Sequence, residues 1–109
     1  MAPTTTAALL AELTAQSRHV ESLIGQGAFP QVYLPAMAAK DHALALEAHA
    51  AELPEERRPR AAAAVKRVVL AAWLLDLYGD LGNRSKLVDA YHSLASAVAD
   101  LTAAYASDR

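Results

Sequence analysis

Apolar residues in this chain recur at three- and four-residue intervals, the period of a helix with one buried face, and nowhere does a strand-like alternation compete. Four glycines and five prolines fall in clusters and cut the chain into four long runs of good helix formers. The first run extends from Thr5 to Gly25, with Thr4 to Thr6 placed to cap its start and Gly25 or Gly27 placed to close it in the left-handed conformation. The second extends from Pro30 to Leu53, and Pro35 near its start predicts a bend, because proline removes a donor and crowds the preceding turn. A charged connector, Pro54 to Pro59, leads into a third run that ends near Asp80, where Gly79, Gly82 and Asn83 read as a stop and a turn. The fourth extends from Ser85 to Ala106. Helices of about 20 residues with short connections predict one all-α domain over residues 1–109, an antiparallel up-down-up-down four-helix bundle.

Helical rotation then assigns faces. The first helix presents Leu9, Leu13, Val20 and Ile24 to the interior, with His19 at the flank beside Glu12 and Gln16. The fourth presents Leu87, Leu94, Val98, Leu101 and Tyr105, and His92 lies on the solvated side with Asp89, Ser96 and Asp100. On the second, His42 and His49 are seven apart and point within about 20° of one another, together with Leu46 and Leu53, while Lys40 and Glu47 point the other way. Both histidines are therefore expected to face inward. On the third, the stripe Val65, Val69, Ala72 continues to Asp76, and a buried carboxylate needs a partner, for which His42 or His49 is the expected group. Asp80, one turn on, either extends that polar seam or caps the turn.

Two inward imidazoles admit two readings. They are core histidines bonded to carbonyls or hydroxyls, or they are metal ligands or proton carriers. In the second reading His42 and His49, with Asp76 and Met37, hold copper or zinc; in the first, Met37 simply packs. The third helix also carries Leu70, Leu74, Leu77 and Leu81, the 4-3-4 spacing of a coiled-coil seam, beside Trp73. That seam is either absorbed within the bundle or left over, and in the second case it predicts a homodimer through the third helix. Tyr33, Tyr78, Tyr91, Tyr105 and Trp73 are expected at the core or its rim, and Arg57, Arg58, Arg60, Lys66 and Arg67 read as a solvated corner diluted by Glu55 and Glu56.

Charge and composition remove several functions. Ten basic against twelve acidic residues give a net charge of −2, too weak a field to recruit nucleic acid. The absence of cysteine excludes disulfides, thiolate metal sites and thiol chemistry. The most apolar run, Val68 to Tyr78, contains Asp76 and falls far short of the roughly 20 residues that cross a bilayer, so no transmembrane segment is expected. Met1 to Thr6 lacks the basic start and apolar stretch of a secretory signal. No phosphate-binding glycine loop, nucleophile elbow, His-x-x-x-His or Glu-x-x-His pattern occurs, and Ser85, Ser93 and Ser96 carry no nucleophile signature, so an enzyme is not expected.

The segments Gly27-Ala28-Phe29-Pro30-Gln31-Val32-Tyr33, Ala50-Ala51-Glu52-Leu53-Pro54, Val65-Lys66-Arg67-Val68, and Leu75-Asp76 with Gly79-Asp80-Leu81-Gly82-Asn83 follow one another between Gly27 and Leu101. In this order they resemble a small group of helical bacterial proteins associated with periplasmic metal-efflux components. That group has a histidine where this chain has Tyr33, and His42 and His49 have no counterpart in its pattern. The resemblance implies a helical accessory in metal handling, periplasmic in location with the cytoplasm as the alternative, and a metal-efflux protein as partner. Two functions are thus expected: a non-catalytic accessory that binds or senses copper or zinc outside the cytoplasm, or a helical protein–protein interaction or dimerisation module with no metal.

Overall fold

In the computed structural model, which describes residues 4–106, Thr5 starts the first helix by accepting the amide of Ala8 on its side chain at 3.2 Å. Helix α1 spans Thr6–Gly25, α2 Tyr33–Leu46, α3 Arg58–Leu81 and α4 Arg84–Tyr105. Short 3₁₀ turns at Phe29–Val32, Glu47–Glu52 and Glu55–Arg57 make up most of the connections. Helices α1 and α3 end alike. Gly27 and Gly82 take φ of 74° and 65°, and the next amide reaches back five residues, Ala28 to Leu23 and Asn83 to Tyr78.

Each helix packs on its two neighbours in chain order, α1 on α2, α2 on α3, α3 on α4 and α4 back on α1. Thr6, which opens α1, bonds Glu52 beyond the end of α2, and Arg57, which precedes α3, donates to the carbonyl of Ala106 just past α4 at 2.6 Å. Those end-to-start contacts define the antiparallel up-down-up-down bundle.

The core has two kinds of filling. Leu9, Leu13, Leu46, Leu75, Leu87, Leu94 and Leu101 are fully buried bulk, and between them run alanines, among them Ala36, Ala39 and Ala43 on α2, Ala64, Ala71 and Ala72 on α3, and Ala97 on α4. Alanine seams bring helix axes close, because nothing larger than a methyl holds the backbones apart.

The structure differs from the sequence expectation in three places. The second helix is not continuous from Pro30 to Leu53: it winds as 3₁₀, then α, then 3₁₀. Pro35 sits in the first turn of α2, where amides have no intrahelical acceptor, so it needs no kink. At the far end Tyr105 Oη donates to the carbonyl of Leu46 at 2.9 Å, where the winding tightens, and Pro54 then forces Leu53 into extended backbone. Second, the buried line of α3 is centred on Ala64, Val68, Ala71, Leu75 and Gly79; Val65 and Ala72 of the expected stripe are buried beside it, whereas Val69 and Asp76 are on its flank and only half-buried. Third, Gly79 lies within α3, and the turn is made by Gly82 and by Asn83, whose side chain caps α4 through the amide of Lys86. Asp80 is exposed and has neither of its expected roles.

Candidate functional site

The four residues expected to gather around a metal are dispersed. Lys40 of α2 stacks on Trp73 of α3, its ammonium 5.0 Å from the ring centroid, and that contact fixes which side of α2 meets α3. His42, two residues on, is roughly 160° round the helix from Lys40 and so lies on the flank away from α3. The expected pairing of His42 with Asp76 of α3 is therefore not formed. Among the described residues neither histidine has an ion pair or hydrogen bond to Asp76, and half-burial lets that carboxylate keep water instead. Met37 is half-buried and packs against the core. No three of the described His, Asp and Glu residues converge in a group able to hold a metal ion.

His49 has its own partner. It lies in the 3₁₀ turn beyond α2, and its Nδ1 bonds Glu52, whose other carboxylate oxygen accepts from Thr6 Oγ1 at 2.8 Å. A ring N–H donated to a carboxylate requires hydrogen on Nδ1. This chain of three ties the start of α1 to the turn after α2. The His49 bond, and after it the Thr6 bond, hold the Glu52 carboxyl below its ordinary value. A carboxyl depressed by folding contributes stability that is fully present above its unfolded pKa and is lost as pH falls through the lower folded value. Glu52→Gln is therefore expected to lower the Tm slightly at pH 7, with the difference from the parent protein shrinking as the melts are carried down below pH 4. A constant difference across that range would show that the carboxylate charge has no part in it.

The most exposed apolar surface is on α3. Leu70, Trp73, Leu77 and Leu81 are 59%, 51%, 49% and 67% exposed, on a line directly opposite the buried Val68, Leu75 and Gly79. Of the 4-3-4 seam only Leu74 reaches the core. Tyr33, Leu34 and Leu44 add exposed apolar area on α2. The charges flanking the α3 line fall into two sorts. Arg67 pairs with Asp100 at 2.8 Å and Arg60 approaches the same carboxylate, whereas Lys66 and Asp80 are exposed and have no ion pair among the described residues.

Of the residues expected to form a solvated corner, Arg60, Lys66 and Arg67 are exposed, whereas Arg57 and Arg58 close helix ends. Arg57 donates to the carbonyls of Ala104 and Ala106, and Arg58 to those of Leu53 and Ala51, so each guanidinium meets carbonyls that have run out of helical donors. Two adjacent arginines just before a helix were the available signal. A shallow groove between α1 and α4 is lined by Ser17, Glu21 and Tyr91 among others, and a second, between α3 and α4, by Arg67, His92, Ser93 and Ser96 among others. Burial, and next the Glu21 carboxylate, push the Tyr91 hydroxyl up, which makes it a hydrogen-bond donor and not a base.

No helix among the described residues is long and apolar enough to cross a membrane. Compared with known proteins, the chain matches no family model, no curated protein and no solved structure.

Proposed function

We propose that this protein is a non-catalytic helical association module whose working surface is the outward face of α3 and whose partner is a second copy of the chain. One observation carries the reading: Leu70, Trp73, Leu77 and Leu81 form a continuous apolar line on the side of α3 that the bundle does not use. Burying apolar area yields roughly 25 cal/mol per Å², so a line of three leucines and a tryptophan left in water is a driving force for association. A closed two-fold pairing satisfies it without leaving a second sticky face. Copper or zinc on His42, His49, Asp76 and Met37 has less support, since His49 is bonded to Glu52 and no three described His, Asp or Glu residues converge.

The chain carries a single tryptophan, and it lies in this face. Sedimentation from about 1 to about 500 μM should show a monomer–dimer equilibrium, with Trp73 emission shifting to shorter wavelength over the same range. Leu77→Glu should give a folded monomer with invariant emission. A parent protein that remains monomeric throughout, with unchanging emission, overturns the reading.

A further inference from the structure

Helix α3 is electrically polarised along its length. Its first half carries Arg58, Arg60, Lys66 and Arg67, and its second half carries Asp76 and Asp80. Two such helices laid parallel along their outward faces set like charge against like; laid antiparallel, they set basic halves against acidic ones. The two unpaired charges also define a register. Lys66 is seven residues before Trp73 and Asp80 is seven residues after it, so the three lie along nearly one line of the helix with the indole at its centre. A two-fold axis through Trp73 sets Lys66 of one copy opposite Asp80 of the other and brings Leu70, three residues before the axis, close to Leu77 of the other copy, four residues after it.

Resting on the association reading above, we infer that two copies pair antiparallel across α3 on a two-fold axis at Trp73, with Lys66 of each copy against Asp80 of the other. Each contact then occurs twice, as an isologous interface requires. The neighbouring charges do not oppose this. Arg67 and Arg60 are engaged by Asp100, and Lys40, which leans on Trp73 from α2, is paired with Asp41 at 3.5 Å. The apolar line supplies the attraction, and the two ion pairs select direction and register.

The test is a charge exchange read by sedimentation on the full chain. Lys66 and Asp80 are both exposed, so their reversal leaves the core untouched. Lys66→Glu alone and Asp80→Lys alone should each weaken the dimer about tenfold, because each replaces two attractions by two repulsions, and the double variant should return to near the parent affinity. Because the chain has no cysteine, an equimolar mixture of Lys66→Cys and Asp80→Cys proteins gives a second readout under mild oxidation. Mixed disulfides should exceed like-with-like ones. If Leu77→Glu abolishes the dimer while both charge reversals leave its affinity unchanged, or if like-with-like disulfides prevail, association stands and the antiparallel register is overturned. If the parent chain is monomeric, both fall together.

Discussion

Gly79→Ala is expected to destabilise the bundle by about 2 kcal/mol, although alanine is the better helix former by about 1 kcal/mol at an ordinary helical site. A Cβ at Gly79 would be 2.6 Å from the carbonyl oxygen of Phe29 and 3.0 Å from Val32 Cγ2. The first neighbour is backbone, held in the 3₁₀ turn Phe29–Val32 that enters α2, so it cannot swing aside as the tip of a side chain would. Relief requires that whole turn to separate from α3 and open the contact that Val32, fully buried, makes with the core. Thermal denaturation should show a fall in Tm of roughly 10 °C for a domain of this size. Gly25→Ala is the matched control: Gly25 is also helical, nothing lies within 4 Å of its added Cβ, and the substitution should be neutral or mildly stabilising. Equal stability of Gly79→Ala and the parent protein would show that the approach of α3 to this turn is looser than described.

Leu75→Ala and Leu77→Ala should separate folding from association, two residues apart on one helix. Leu75 is 0% exposed and packed on all sides, so its truncation removes buried methyl groups and leaves a cavity, for a loss of about 3 kcal/mol in urea unfolding. Leu77 is 49% exposed, and its truncation should change the stability of the monomer by less than about 0.5 kcal/mol while weakening the dimer. The unfolding must be compared below the dimer dissociation constant, where association adds nothing to apparent stability. A large loss from Leu77→Ala at that dilution would mean that the leucine line belongs to the monomer core, and the association reading would fail with it.

The helices and the long leucine stripes were legible in the sequence because spacing determines which residues share a face. Leu9, Leu13, Val20 and Ile24 on α1, and Leu87, Leu94, Val98 and Leu101 on α4, all lie in the core as that spacing requires. The faces of α2 and α3 were legible only in part: Leu46, Leu53, Val65 and Ala72 are buried as expected, but the rest was not, for one physical reason. Both helices are alanine-rich, and alanine occupies a core seam or a surface equally well, so the larger residues drew the expected inward line toward His42, Val69 and Asp76. The true lines run through Ala39 and Ala43, and through Ala64, Ala71 and Leu75. The same bias hid Gly79, which reads as a helix stop when its role is to admit another backbone. The change to 3₁₀ winding after Leu46 was equally invisible; it falls where Tyr105, 59 residues away in the chain, donates to the Leu46 carbonyl. Spacing alone left the leucine seam either absorbed or left over, and the packing of α3 decides it: Leu74 reaches the core and Leu70, Leu77 and Leu81 stay exposed.

The alanine seams carry an entropic consequence. A buried alanine surrenders no rotamers on folding, so much of this interior is ordered without the side-chain entropy that longer residues lose. For the same reason that interior has few alternative arrangements to move into: methyl groups cannot swing aside to open a chamber, as methionines or long aliphatic chains do. In a bundle built in this way the alanine seams keep the helix spacing fixed, and any rearrangement of the interior falls to the leucines between them.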